Sequence, residues 1–128
     1  MHKVKRLLLT DLENNGSQAS IDLEADARFA KIIGDKVSEQ IIIKAIENGT
    51  TGLPKDAELI QTHITDKRLR VLNGLVKMKL VKAHWVGTNV GGTKALGVNR
   101  VRIYTLSTSS TLTAAVADYN AVRRLRVI

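Results

Sequence analysis

The spacing of apolar residues changes once along this 128-residue chain, near residue 80, and this change constrains the fold more than any other feature. Before it, apolar residues recur at helical spacing, as Leu69, Leu72 and Leu75 do. After it, residues 81–86 and 99–106 alternate in the manner of β-strands, and the loop between them is rich in glycine. We therefore expect a mainly α-helical chain with one small β-hairpin, an α+β fold.

Capping and breaking residues divide the helical part into separate segments. The expected helices cover residues 4–13, a segment from Ser20 as N-cap to about residue 33, and residues 37–48, 55–63 and 66–78. A short turn at residues 64–66, with Thr65 as N-cap, is expected to separate the last two of these. Another helix is expected after Thr111 or Thr113.

A series of helices with a basic last member, followed by a hairpin with a long tip, is the order of a winged helix-turn-helix. We expect this unit over residues 36–106, with an N-terminal helical extension at 1–35 and a C-terminal helix within 107–128. The length allows one compact unit. The terminal helices must bury their apolar faces, either on the same core or against a second copy. We favour a homodimer through these helices.

The net charge of +8 is concentrated in one part of the chain. Between residues 65 and 106, nine basic residues stand against Asp66 alone, and the other segments are nearly balanced. A solvated basic face is one explanation. Charge segregated onto one helix and one hairpin is more typical of a binding face for a polyanion, most often nucleic acid.

The expected helix at residues 66–78 has the size to enter the major groove of DNA. Arg70 and Asn73 are predicted to contact bases, because guanidinium and carboxamide groups make bidentate contacts to guanine and adenine. The loop at residues 87–98 is predicted to be the wing, which reaches the backbone or the minor groove. Predicted contacts to the DNA backbone are Lys67, Arg68, Lys77, Lys82, Lys94, Arg100 and Arg102.

Several function classes are excluded by what the chain lacks. It has no cysteine, so disulfides, thiolate zinc sites and cysteine nucleophiles are absent. Its three histidines have no metal-binding spacing, and no nucleophile has a base at a recognisable spacing. We expect no metal, no cofactor and no enzymatic activity. Trp85 and Tyr104 are expected to pack in the core or the hairpin rather than to stack on bases, and aromatic residues at 3% leave no stacking platform for single strands.

Neither a membrane span nor a secretory signal is recognisable. No apolar run approaches the ~18 residues that a membrane span needs, and the first residues carry charge on both sides of only three leucines. We expect no membrane partner and an intracellular location, in the cytoplasm, nucleoid or nucleus.

Two segments, residues 41–53 and 67–83, resemble winged-helix domains of the RNA polymerase III initiation subunit that is related to general transcription factor E. The shared features are a helix that closes in a glycine turn and the step Lys79-Leu80-Val81-Lys82 into the wing. The resemblance covers about half of the chain, residues 37–106. It implies a winged-helix fold, duplex DNA as ligand and transcription machinery as a partner.

The sequence thus predicts a double-stranded DNA-binding protein that acts as a transcriptional regulator. The alternative is a winged-helix subunit of a transcription or replication assembly that binds proteins and contacts DNA nonspecifically or not at all.

Overall fold

The computed structural model of the chain describes residues 2–49, 54–86 and 101–108. Four helices are present in these residues, namely α1 (Lys3–Asn15), α2 (Leu23–Ile32), α3 (Lys36–Asn48) and α4 (Lys55–Lys77). The strands are β1 (Gln18–Ala19), β2 (Val81–Val86) and β3 (Val101–Leu106). They form one antiparallel sheet in the order β1-β3-β2. The predicted mainly helical α+β class is confirmed.

The second helix begins later than predicted, because Ser20 has a different role. Its backbone N–H donates to the carbonyl of Arg102 at 2.8 Å, which keeps Ser20 in line with β1 at the edge of the sheet. Asp22 caps the helix instead, and its carboxylate accepts from the backbone N–H of Ala25 at 3.1 Å. Strand β1 itself has only two residues, too few to produce a recognisable alternation.

Helix α4 is continuous through residues 64–66, so the predicted turn there is wrong. Ile64 is fully buried, at the same face of the helix as Leu72 and Leu75. Thr65 does not cap a new helix. Its hydroxyl lies 3.0 Å from the carbonyl of Gln61 one turn earlier and 2.6 Å from the carboxylate of Asp26. Tertiary packing on both sides of Thr65 therefore favours one helix over two.

The hydrophobic core lies between the four helices and the inner face of the hairpin. Helix α1 contributes Leu8 and Leu12, which are almost completely buried, and it packs against α2, α4 and β3. The apolar residues Leu8 and Leu12 of α1 are therefore buried within its own chain. The other elements contribute Phe29, Ala30, Ile42, Ile64, Leu72, Leu75, Val81 and Tyr104.

A buried ion pair crosses this core between α4 and α2. Arg68 and Asp26 are both 0% exposed, and Nε of Arg68 donates to Oδ1 of Asp26 at 2.8 Å. The second carboxylate oxygen accepts from Gln61 at 2.9 Å and from Thr65 at 2.6 Å. Burial of both charges is possible because each is paired and hydrogen-bonded.

The same guanidinium holds β1 against α4. Its Nη1 donates to Oε1 of Gln18 at 3.2 Å and to the carbonyl of Ala19 at 3.1 Å, and its Nη2 donates to the carbonyl of Ser20 at 2.9 Å. The prediction that Arg68 contacts the DNA backbone is wrong. Its donors are committed to the core, and no part of the residue reaches solvent.

A second ion pair extends this network towards α1. The carboxylate of Asp11 accepts from Nε of Arg28 at 2.8 Å, from the side-chain amide of Asn15 and from that of Gln18. Gln18 therefore joins the two ion pairs, because its oxygen accepts from Arg68 and its nitrogen donates to Asp11.

Within the described part of the chain, no helix has both the length and the apolar character needed to cross a membrane. The predicted wing at residues 87–98 and the predicted C-terminal helix after Thr111 or Thr113 lie outside the described residues.

Candidate functional site

The outward face of the C-terminal half of α4 carries two exposed cations. Arg70 and Lys77 are seven residues apart, which places them on one helix face about 10 Å apart along the axis. Leu72 and Leu75 face the core on the other side. The sequence predicted both cations on this exposed face, and the structure places them there. Lys77 also lies in the last turn, where a positive charge stabilises the helix dipole.

Asn73 lies between these two cations and contacts the hairpin. Its Oδ1 accepts from the hydroxyl of Tyr104 at 2.9 Å and from Nη1 of Arg102 at 3.5 Å. A bidentate contact to adenine needs this oxygen together with the amide nitrogen. Because the oxygen already has two donors, we assign Asn73 to positioning the hairpin rather than to the predicted base contact.

Arg102 completes a contiguous basic surface where the hairpin meets α4. Its guanidinium carbon lies 5.4 Å from the ring centre of Tyr104 and 5.9 Å from that of Trp85. We call Arg70, Asn73, Lys77 and Arg102 the α4–hairpin surface. Its two elements are joined by the hydrogen bonds to Asn73, so the cations of the helix and of the hairpin are held in a fixed relation.

Trp85 stands beside this surface and is 56% exposed. Tyr104 packs in the core and is 2% exposed, whereas Trp85 packs within the hairpin against its cross-strand partner Arg102 and keeps much of its ring exposed. The two residues lie on the same face of the sheet, since Trp85 is paired with Arg102 and Ala83 with Tyr104. Tyr104 lies above α4, whereas Trp85 is further along β2, towards its end.

Other predicted contacts lie away from the α4–hairpin surface. Lys67 is half-buried and close enough to the carboxylate of Asp35 to affect its titration. Lys82 is exposed and paired with Thr105, so it points to the opposite side of the sheet from Arg102. Lys94 and Arg100 lie outside the described residues.

Helix α1 adds a cation that the sequence did not assign to the site. The ammonium of Lys5 lies 3.8 Å from the sulfur of Met78, and its side chain passes beside Gly74 at the outer side of α4. No sequence pattern places Lys5 there, because its position depends on how α1 packs across α4.

The surface cations are not neutralised by neighbouring acids. In residues 2–49, 54–86 and 101–108, the ion pairs are those of Arg28 with Asp11 and of Arg68 with Asp26, both outside the α4–hairpin surface. The strands β2 and β3 contain no Asp or Glu. Asp66 is the acid nearest along α4, one turn before Arg70, and is not ion-paired with it. The surface therefore presents a net positive charge.

The N-terminus of α3 shows the one clear pKa shift among the described residues. Asp35 accepts from the backbone N–H of Ser38 at 3.0 Å and from its hydroxyl at 2.7 Å. These two hydrogen bonds lower the pKa of Asp35, and the positive charges of Lys67 and His63 add to the effect. In the part of the chain that the structure describes, no group of His, Asp or Glu side chains is arranged to hold a metal ion.

Neither a known protein family, nor a curated protein, nor a solved structure matches this chain.

Proposed function

We propose that the chain binds double-stranded DNA through the α4–hairpin surface. One observation carries the proposal: Arg70 and Lys77 project from one exposed helix face, Arg102 lies beside them in contact with Asn73, and none of the three is ion-paired within the described residues. An exposed helix that carries unneutralised cations attracts the phosphate backbone and can enter the major groove.

The residues of the surface have different roles in this proposal. Arg70 contacts base edges, because a guanidinium makes a bidentate contact to guanine. Lys77 and Arg102 contact phosphates and fix the register of the helix on the duplex. Asn73 positions Arg102. Lys94 and Arg100 remain proposed phosphate contacts of the wing.

We propose a winged-helix arrangement for this part of the chain, with a transcriptional role. A helical unit that leads from a basic helix directly into an antiparallel hairpin supports the arrangement. The unbroken α4 departs from a helix-turn-helix, since the basic half is the end of a longer helix. The role in transcription rests on the sequence resemblance, and a DNA ligand implies an intracellular location.

The proposal is tested with the full chain and a duplex obtained by in vitro selection of bound DNA. Fluorescence anisotropy of the labelled duplex gives the Kd over a range of salt concentrations. We expect the affinity to fall steeply with salt, by about 0.9 in the log–log slope for each phosphate contact. Lys77→Gln should weaken binding to all sequences and reduce that slope by about one contact, whereas Arg70→Gln should cost about 1–3 kcal/mol on the selected sequence and relax its preference.

Lys55 provides the matched control. It is an exposed lysine on the same helix, fifteen residues before Arg70 and therefore about 22 Å from it along the axis. Lys55→Gln should leave both the Kd and the salt dependence unchanged. The proposal is wrong if the chain does not bind duplex DNA at low salt, or if Lys55→Gln weakens binding as much as Lys77→Gln does.

A protein-interaction module is the second candidate, and exposed apolar residues favour it. Val37 at the start of α3 is 71% exposed, and Leu59 in the N-terminal half of α4 is 66% exposed. Leu59 precedes Arg70 by eleven residues on α4 and so lies outside the basic half of the helix, where a protein partner could cover it. A sequence preference below about tenfold in the selection experiment would favour this candidate over specific DNA recognition.

We also propose that the protein is a homodimer. Because the apolar face of α1 is buried within its own chain, the proposed interface involves residues 107–128, where the sequence predicts an apolar helix face.

A further inference from the structure

We propose that Lys5 of α1 binds a phosphate of the DNA backbone, on the strand opposite to the one that Arg102 contacts. Helix α4 is then held between the two strands of the duplex. This inference rests on the proposed DNA-binding function and deepens it, because it adds α1 to the interface.

The first observation is the position of the Lys5 side chain. Its Cε and Nζ lie 3.5 and 3.7 Å from the point that a Cβ atom of Gly74 would occupy, which is ordinary contact distance. Because residue 74 has no side chain, the stem of Lys5 passes close to the backbone of α4. The ammonium group therefore lies against α4 rather than over its own helix.

The second observation is the order of residues around α4, at about 100° per residue. Measured from Asn73, Lys77 lies at about 40° and Arg70 at about 60° around the helix. Gly74 and Met78 follow at about 100° and 140°. The two exposed cations of the helix therefore lie between Asn73 on one flank and the contacts of α1 on the other.

Each flank of α4 receives a cation from another element. Arg102 of the hairpin lies at the first flank, where its Nη1 is 3.5 Å from Oδ1 of Asn73. Lys5 of α1 lies at the second flank, where its Nζ is 3.8 Å from the sulfur of Met78. The exposed face of α4 is thus bordered by a positive charge on both sides.

A helix in the major groove lies between two phosphate backbones. The groove is about 12 Å wide and a helix with its side chains is about 10–12 Å in diameter, so the two flanks of the helix face different strands. Arg102 and Lys5 therefore contact phosphates of opposite strands, while Arg70 points to the base edges between them.

The charge of Lys5 is available for this contact. A thioether sulfur is only a weak acceptor, and Lys5 takes part in neither ion pair of the described residues. Acids balance the bases of residues 1–34 in number, but three of the five acids are at most 9% exposed and accept hydrogen bonds within the fold, namely Asp11, Asp22 and Asp26. The balanced charge of this segment therefore does not neutralise Lys5.

The experiment uses the full chain and the shortest bound segment of the selected duplex, a single half-site if the chain binds as a dimer. Single phosphates of either strand are replaced, one at a time, by neutral methylphosphonates, and fluorescence anisotropy gives the Kd for each duplex. We expect the unaltered chain to lose affinity at phosphates of both strands. In Lys5→Met this loss should disappear at a phosphate of one strand, and in Arg102→Met at a phosphate of the other strand.

A matched pair of variants separates this contact from a general effect of charge. Lys5→Met keeps an unbranched side chain of similar helix propensity and removes the charge, so it should reduce the log–log salt slope by about 0.9, the value of one phosphate contact. Lys3 is an exposed lysine of the same helix, about 200° around α1 from Lys5 and turned away from α4. Lys3→Met should leave the slope and the phosphate pattern unchanged. Circular dichroism verifies that each variant is folded.

The outcomes distinguish this inference from the proposed function. If the chain binds no duplex DNA at low salt, the proposed function fails and the inference with it. If the duplex binds but the sensitive phosphates of the unaltered chain all lie on one strand, the inference is wrong whatever the variants do. It is also wrong if Lys5→Met keeps the full salt slope, or if Lys5→Met and Arg102→Met lose their responses on the same strand. In these three cases duplex binding by the α4–hairpin surface stands.

Discussion

At the scale of single residues, Arg68 and Arg70 show that residue type alone does not predict whether an arginine is buried or exposed. They are two positions apart, about 200° around a helix, so one faces the core and the other faces solvent. The signal that separates them is position: Arg68 stands four residues after Ile64 and four before Leu72, within the apolar stripe. Its counterion, Asp26, similarly lies among buried alanines of α2. The net charge of the segment does not distinguish the buried arginine from the exposed one, because both count as basic residues.

Replacing Arg68 should destabilise the fold far more than replacing Arg70. Arg68→Met leaves the carboxylate of Asp26 buried without its counterion, which is expected to cost about 3–5 kcal/mol in the free energy of unfolding. Arg70→Met, at an exposed position, should change it by less than about 0.5 kcal/mol. Urea unfolding measures both values.

A second substitution tests whether the unpaired charge is the cause. Asp26→Asn removes the charge but keeps an oxygen that can accept from Thr65. Added to Arg68→Met, it should recover at least about 1 kcal/mol of the loss. If the double variant is as unstable as the sum of the two single variants, the ion pair is not the origin of the effect.

At the scale of elements, the periodicity predicted the helices and failed at their junctions. α1, α3 and the hairpin lie within a few residues of the predicted segments, because their apolar spacing is strong. The break at residues 64–66 was predicted from Thr65, a residue type common at N-caps. In the structure, that hydroxyl reaches Asp26, a residue thirty-nine positions earlier in the chain. Whether a helix continues through a residue such as Thr65 thus depends on contacts with residues distant in the sequence. The spacing of apolar residues within one segment carries no information about those contacts.

The ends of α2 and α4 provide a matched pair for testing backbone strain. Both close with a Schellman motif, whose paired hydrogen bonds are Asp35 N–H to Ala30 and Gly34 N–H to Lys31 in α2, and Leu80 N–H to Leu75 and Lys79 N–H to Val76 in α4. The left-handed position is Gly34 in α2, with φ 78°, and Lys79 in α4, with φ 63°. Glycine adopts this conformation without steric cost, and lysine does not.

Introducing glycine at the left-handed position of α4 and removing it from that of α2 should therefore have opposite effects on stability. Lys79→Gly is expected to raise the free energy of unfolding by about 1 kcal/mol, and Gly34→Ala to lower it by about the same amount. A Cβ atom at Gly34 would meet no other atom within 4 Å, so the loss of stability in Gly34→Ala comes from the positive φ of this residue and not from a steric clash with neighbours. Chemical denaturation measures both changes, and Lys79→Asn controls for the lost charge, since asparagine tolerates this conformation. Destabilisation by Lys79→Gly would contradict the argument.

The N-cap of α3 should make stability depend on pH in the acidic range. Hydrogen bonds from Ser38 lower the pKa of Asp35 in the folded chain below its ordinary value of 3.8. The ionised cap therefore contributes stability above this value, and the contribution is lost as the pH falls through the lowered pKa. Asp35→Asn keeps a capping side chain that does not titrate. Thermal unfolding over a pH series should show the wild-type chain more stable near neutral pH, with the difference disappearing in strong acid; a constant difference would contradict this origin.

At the scale of the whole molecule, the sequence located the basic region but not the surface that it forms. Nine basic residues between 65 and 106 indicated one binding face. The fold distributes those it describes: Arg70, Lys77 and Arg102 lie together, Lys82 points to the other side of the sheet, and Arg68 is buried. Which cations share a surface depends on the crossing of α4 and the hairpin, and this follows from core packing that no single segment determines.

The assembly of the whole molecule yields the last prediction. If residues 107–128 form the interface of the proposed homodimer, the chain of 14.0 kDa should sediment at about 28 kDa at micromolar concentration. Removal of residues 111–128 should give a monomer, because the proposed interface is lost. Leu7 is the control, since it is the exposed leucine of α1 at 36%, and Leu7→Ser should leave the mass unchanged if α1 packs only within its own chain. A full-length chain that sediments as a monomer would refute the homodimer, and a shortened one that remains dimeric would show that the interface lies outside residues 111–128.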